Sequence, residues 1–119
     1  MTKYYFLFLI GIFVNVVAQL FIKKGALLID FSSSDLKSII SQLSKNYLIF
    51  SGLATYVFSF VIMIIVLSKI NLNKVYPINF GLGFILILIF SHTFIGEKIT
   101  FNIITGGFFI FLGIYLIIK

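Results

Sequence analysis

Cysteine and tryptophan are absent from this chain, and proline, histidine and acidic residues are scarce. Without cysteine, the chain forms no disulfide bond and no thiolate metal site. One histidine and three acidic residues disfavour a metal site, and we expect neither a metal nor another cofactor. The sequence also lacks a nucleophile–base pair and a phosphate-cradling loop, which predicts a protein that is not an enzyme.

Apolar residues make up 61% of the chain, and they are concentrated in four long stretches. These stretches cover about residues 4–22, 47–67, 75–95 and 101–118, and none of them contains a charged residue. A helix needs roughly 20 apolar residues to cross the hydrocarbon core of a bilayer. The sequence therefore predicts an all-α membrane protein, in which residues 1–119 form a single domain of four transmembrane helices.

The connections between these spans differ in length. Short second and third connections predict that the second, third and fourth helices pack as a series of antiparallel hairpins. The first connection is long, and four apolar residues recur in it at the spacing i, i+3, i+4, i+7: Leu36, Ile39, Ile40 and Leu43. Ser32 and Asp35 have the spacing of a capping box. We expect a short amphipathic helix over residues 33–45 in the membrane interface, as either a lid or a plain connector.

All nine basic residues are lysines, and they lie at the ends of the spans and in the connections. This distribution favours anchoring to anionic lipid head groups over nucleic-acid binding, so we expect membrane lipid and no nucleic acid as a partner. Four spans place both termini on one side of the membrane, with four lysines on that side and five on the other. The balance leaves the orientation of the protein open.

The first span contains two amides, and polar groups within a span are costly and therefore informative. Asn15 and Gln19 share a helix face with Gly11 one turn before them and Lys23 one turn after. Amides donate and accept hydrogen bonds, so this stripe suits binding to phosphate or sugar oxygens. Hydrogen bonding between helices is an equally good interpretation of the two amides.

The second and third spans add weaker polar stripes. Thr55 and Ser59 follow Gly52 on one face of the second span, where back-bonding to the preceding turn is the alternative to substrate binding. Tyr76 and Asn79 share a face of the third span. All four side chains are therefore candidate substrate-binding residues, together with those of the first span.

Small residues distinguish the third and fourth spans. Pro77, Gly81 and Gly83 weaken the third helix, and we expect a kink there of the kind that alternating access requires, with simple packing as the alternative. Gly106 and Gly113 lie one heptad apart in the fourth span. This spacing predicts a helix–helix contact between two protomers.

Over nearly its whole length the chain resembles the small multidrug resistance group of the drug/metabolite transporter superfamily. The resemblance rests on the four spans, on Phe80-Gly81-Leu82-Gly83 in the third, and on Gly96-Glu97-Lys98 before a glycine-rich fourth. Drug exporters of that group carry a membrane glutamate in the first helix, and the aligned residue here is Asn15.

The chain is more similar to the ArnE/ArnF-type subunits, which lack that glutamate and move aminoarabinose-linked undecaprenyl phosphate across the inner membrane. Ala18-Gln19-Leu20-Phe21-Ile22-Lys23 matches their small-Gln-Leu-x-x-Lys pattern, and Tyr76-Pro77 matches the start of their third helix. The resemblance implies a multi-pass protein of the bacterial inner membrane, a homodimer or heterodimer of four-helix subunits, and a part in lipopolysaccharide modification.

Residues and resemblance together predict a transporter that flips a polyprenyl-phosphate-linked sugar or a similar anionic lipid. Lys23 would attract the phosphate, while Asn15, Gln19 and Asn79 would bind its oxygens or the sugar.

Two alternatives stay open. One is an exporter of small solutes or amines, for which His92 and Tyr76 are the candidate coupling groups. The other is a structural subunit of a membrane complex that transports nothing itself.

Overall fold

The computed structural model describes residues 2–32 and 35–119, and within these ranges the chain is helical and contains no β-strand. The elements are α1 (Thr2–Ala26), α2 (Leu36–Lys45), α3 (Tyr47–Leu67), α4 (Leu72–Phe90), a π-helical turn (Ser91–Ile95) and α5 (Phe101–Ile118). Four helices are long and apolar enough to cross a membrane: α1, α3, α4 with the π-helical turn, and α5. The predicted all-helical fold, with four helices long and apolar enough to span a membrane, is confirmed.

The helix ends agree with the predicted spans in two cases and differ in the other two. Helices α3 and α5 begin and end at the predicted residues, whereas α1 is longer at both ends than residues 4–22. Helix α4 begins three residues before the predicted range 75–95, which places Pro77 in its second turn. Pro77 has no N–H to donate to the carbonyl of Asn73, yet the helix continues through it to Phe90.

Helix α2 lies in the first connection, where a short helix is expected, but its first turn is capped differently. The predicted start at residue 33 lies outside the described residues, and the helix begins at Leu36. Asp35 is the N-cap residue, and its carboxylate accepts a backbone N–H of the first turn. The predicted capping box is wrong, because Ser32 donates its N–H and hydroxyl to Asp30 instead. The Ser32 hydroxyl also lowers the pKa of Asp30.

The most extensive helix–helix contact joins α1 and α3, which run antiparallel. A row of small residues recurs at every seventh position of α1 and faces α3: Gly11, Ala18 and Gly25. A Cβ atom added to Gly11 would lie 2.9 Å from Ile62 Cγ2, and one added to Gly52 would lie 3.0 Å from the carbonyl oxygen of Ala18. Small residues thus let the two backbones approach, which is how helices associate where lipid is as apolar as the side chains.

Helices α3 and α4 make little contact with each other, although a short connection joins them. The expected hairpin series is therefore wrong at this pair, because both helices pack against α1 instead. A buried apolar cluster holds the three helices together near the α3–α4 connection: Phe8, Ile12, Ile62, Val66, Ile70 and Val75. Away from this cluster α3 and α4 are free to diverge.

Helix α5 packs mainly against α4, along two glycines. A Cβ atom on Gly81 would clash with Ile114, and one on Gly107 would lie 2.8 Å from the ring of Phe84. The remaining surface of α5 is largely exposed.

Asn46 joins the end of α1 to the beginning of α3. Its Oδ1 atom accepts the N–H groups of Leu48 and Ile49, which caps α3. Its Nδ2 atom donates to the carbonyl oxygen of Gly25 at 2.7 Å. Asn46 is buried, and so is its bond to Gly25, while the two capping bonds are partly buried.

Replacing Gly52 by alanine should destabilise the protein, because the new methyl group meets the backbone of α1, which cannot move aside without separating the helices. We expect Gly52→Ala to lower the free energy of unfolding by about 1–3 kcal/mol. Unfolding in mixed micelles with increasing SDS, followed by circular dichroism, measures this change. The matched control is Gly83→Ala, where the added Cβ has no neighbour within 4 Å. A control that is destabilised as much as Gly52→Ala would contradict this account.

Asn46 both caps α3 and bonds to Gly25, and a shorter side chain at this position separates the two roles. Serine at this position keeps an oxygen for capping but is too short to reach Gly25, whereas alanine loses both interactions. We expect the stability order wild type, Asn46→Ser, Asn46→Ala, with about 1 kcal/mol between the two variants for the lost cap. Thermal unfolding by circular dichroism gives the order. Equal stability of Asn46→Ser and wild type would show that the bond to Gly25 contributes nothing.

Candidate functional site

A groove of about 510 Å³ lies between α3 and α4, with α1 as its floor. It opens sideways, because α3 and α4 make little contact with each other. Six polar side chains line it: Asn15, Gln19, Tyr56, Ser59, Tyr76 and Asn79. The other lining residues are apolar or glycine, and none of the described residues that line the groove is charged. A thin polar stripe therefore runs through an apolar groove.

A chain of hydrogen bonds connects the α1 side of the groove to α3. Gln19 Nε2 donates to Asn15 Oδ1 at 2.7 Å, and Asn15 Nδ2 donates to Ser59 Oγ at 3.5 Å. The buried Ser59 hydroxyl then donates to the carbonyl oxygen of Tyr56 at 2.7 Å. The bond at 3.5 Å is long and therefore weak. Each amide keeps one N–H beyond those used here, so the stripe retains donors for a ligand.

The α4 side of the groove carries Tyr76 and Asn79. The Tyr76 ring lies 6.1 Å from the ring of Phe80, centroid to centroid, and is partly exposed. Among the described residues, Asn79 finds no hydrogen-bond partner for its side chain, although it is half-buried within a helix long enough to span a membrane. An amide without a partner at that depth is costly, and a ligand or water in the groove would satisfy it.

The structure brings together five of the seven predicted binding residues. Lys23 and Thr55 lie outside the groove. The Thr55 hydroxyl donates to the carbonyl oxygen of Ser51, one turn back along α3, as its alternative interpretation predicts. Sequence reasoning missed Tyr56, which lines the groove. It precedes Ser59 by three residues and follows Gly52 by four, so helical spacing would have placed it on this face.

The glycines of the third and fourth spans have different surroundings. Gly83 lines the groove and Gly81 faces α5, while Pro77 is not among the lining residues. An added Cβ on Gly106 or Gly113 would meet nothing within 4 Å, so neither glycine is needed for packing within one chain. The kink in α4 and the contact between protomers both remain predictions.

A polar cluster at the end of α1 holds Lys23. Its Nζ atom lies 3.5 Å from Glu97 Oε1, and both side chains are about half exposed. The Ser91 hydroxyl donates to the other carboxylate oxygen. This hydrogen bond, followed by the charge of Lys23, holds the pKa of Glu97 below its ordinary value.

The backbone after α4 brings Glu97 to this position. A π-helical turn, a feature frequent at functional sites, is followed by Gly96, whose φ of 82° favours glycine. The chain then turns back, and the N–H groups of Gly96 and Glu97 both donate to the carbonyl oxygen of Ser91. Glu97 is thereby held against the end of α1, within ion-pair distance of Lys23.

Comparison with family models, with curated proteins and with solved structures found no match to this chain.

Removing the Ser91 hydroxyl should raise the pKa of Glu97 towards its ordinary value, because that hydrogen bond is the largest cause of the shift. Glu97 is the one glutamate in the chain, so ¹³C-labelled glutamate gives a single carboxyl signal to titrate by NMR. We expect a higher midpoint in Ser91→Ala than in wild type. The contact itself should persist at neutral pH and disappear as the pH falls through the lowered pKa.

The control is Ser68→Ala. In wild type the Ser68 hydroxyl donates to the carbonyl oxygen of Ile65 at the C-terminal end of α3. This variant should leave the midpoint where it is in wild type. An unchanged midpoint in Ser91→Ala would show that the serine does not bond to the carboxylate in solution.

Proposed function

We propose that this chain is a subunit of a dimeric lipid flippase of the small multidrug resistance type in a bacterial inner membrane. Its substrate is a polyprenyl-phosphate-linked sugar or a similar anionic lipid. The observation that carries the proposal is the sideways-open groove with a polar stripe and apolar walls.

The groove suits a lipid with a polar head and a long tail. The amides of Asn15, Gln19 and Asn79 and the hydroxyls of Tyr56 and Tyr76 offer donors and acceptors to sugar or phosphate oxygens without burying a charge. The tail remains in the bilayer, because the gap between α3 and α4 lets it leave sideways. A closed channel would have to enclose the whole tail, which four short helices cannot do.

Lys23 lies one turn beyond Gln19 on the same face of α1, outside the groove. In the structure its charge is paired with Glu97. An arriving phosphate would compete with the carboxylate for this lysine, and exchange between two anions at a half-exposed site costs little. We propose that Lys23 attracts the phosphate at the groove entrance rather than within it.

The groove is less suited to organic cations. No carboxylate lies among the described residues that line it, and the stripe carries an amide at Asn15, where the drug exporters have glutamate. An amide neither binds a proton at physiological pH nor pairs with a cation. Export of amines coupled to protons therefore has no evident site here.

The proposed dimer uses α5. This helix is the least buried of the four spans, and Gly106 and Gly113 leave open space on its surface. Small residues at such positions allow a second helix to approach closely. Helix α2 is proposed to lie in the interface, with exposed Leu36 and Ile40 towards lipid and its lysines towards head groups.

The flipping step is proposed to move α4. Pro77 removes one backbone hydrogen bond near the groove, and Gly83 has space around it. Because α4 is loosely packed against α3, a change in its angle would expose the groove alternately to the two sides.

Flipping can be tested in proteoliposomes with a fluorescent polyprenyl-phosphate sugar and dithionite, which bleaches only the outer leaflet. Wild-type protein should move probe from the inner to the outer leaflet, where dithionite bleaches it. Gln19→Leu and Asn79→Leu should each slow this by about tenfold, since each loses a hydrogen bond to the head group. The matched control is Thr105→Val, whose hydroxyl bonds back to Phe101 on α5, away from the groove.

The same variants distinguish the alternatives. Failure of wild-type protein to flip the probe, with uptake of a quaternary amine into the same vesicles, would replace the proposal by solute export. Normal flipping in both groove variants would contradict the binding site. Transport of neither compound, with assembly lost in Gly106→Leu and Gly113→Leu, would indicate a structural subunit.

A further inference from the structure

A second groove, of about 400 Å³, lies on the other side of α1 from the polar stripe. It is lined by Phe13, Val17, Leu20, Phe21, Lys24, Phe90 and Phe94. Aromatic contacts join the two sides of the groove: the ring of Phe13 on α1 packs edge to face against that of Phe90 on α4, with centroids 5.8 Å apart. The centroids of the Phe90 and Phe94 rings also lie 5.8 Å apart. Lys24 is the one polar residue among the described lining residues.

The length of this groove matches one leaflet of a bilayer. Phe13 and Lys24 are eleven residues apart on α1, which corresponds to roughly 16 Å along a helix. The hydrocarbon core is about 30 Å thick, so one leaflet provides about half of that. The groove therefore runs from near the middle of the membrane to its boundary, where the lysine lies in the last turn of α1.

The charge at the boundary is available to a ligand. Neighbouring Lys23 is paired with Glu97, but Lys24 forms no ion pair or hydrogen bond with the described residues and is exposed. A cation at one end of an apolar groove is complementary to an anion attached to a hydrocarbon chain.

We infer that this groove binds an anionic phospholipid of the bilayer, with an acyl chain along Val17 and Leu20 and its phosphate at Lys24. The site is distinct from the polar groove and does not depend on flipping. Selectivity between lipids arises at the head group, because the apolar lining contacts any acyl chain alike, whereas Lys24 attracts only an anionic head group.

The test is native mass spectrometry of the purified protein in equal amounts of phosphatidylglycerol and phosphatidylcholine with the same acyl chains. We expect wild type to retain phosphatidylglycerol with about a fivefold preference, as for one lysine near an anionic head group. Lys24→Gln should abolish the preference. Lys98→Gln, which removes the same charge from the same side of the membrane, should retain it.

A second variant tests the groove itself. Val17→Phe fills the apolar part and should release bound lipid of both kinds, provided circular dichroism shows a folded protein. If it does not fold, the two lysine variants decide. Equal retention of the two lipids by wild type, or loss of preference in Lys98→Gln as large as in Lys24→Gln, would overturn the inference.

The outcome is separable from the proposed flippase activity. Gln19 lines the polar groove, so the variant Gln19→Leu should keep the preference for phosphatidylglycerol even though its flipping is slowed. Loss of that preference in Gln19→Leu would place the lipid in the polar groove and overturn the second site.

Discussion

The arrangement of the whole molecule depends on the close approach of α1 and α3. Gly11, Ala18 and Gly25 present almost no side chain to α3, and Gly52 presents none in return, so the backbones come within van der Waals contact. In lipid this packing replaces the hydrophobic effect as the force between helices. It also fixes the rotation of α1, and each other side chain of that helix then has a determined direction.

That rotation places the polar stripe beside the helix contact. Asn15 and Gln19 follow Gly11 by one and two turns, close enough for Asn15 to reach Ser59 on α3 and yet open to the groove. One set of side chains therefore both links helices and lines a cavity. The two interpretations of the amides, binding and packing, are compatible for this reason.

The same rotation separates two adjacent lysines. Successive residues of a helix point about 100° apart, so Lys23 turns towards the loop that carries Glu97 while Lys24 lies at the end of the apolar groove. A charge count treats these residues as equal. Their surroundings differ because Lys23 meets a carboxylate held by Ser91, whereas Lys24 lies at the end of an apolar groove.

The sequence by itself determined the class of the protein, because four uncharged apolar stretches have few alternatives to crossing a membrane. It also predicted Asn15, Gln19 and Asn79 as site residues, since polar groups in such stretches are rarely accidental. It placed Thr55 and Lys23 in the site, where the structure does not, because one-dimensional spacing cannot tell which partner a hydroxyl or a cation meets. Only the tertiary structure decided that α3 packs against α1 rather than against α4, to which a short connection joins it. Short connections constrain which helices run antiparallel, but the fit of small residues across an interface determines which of them touch.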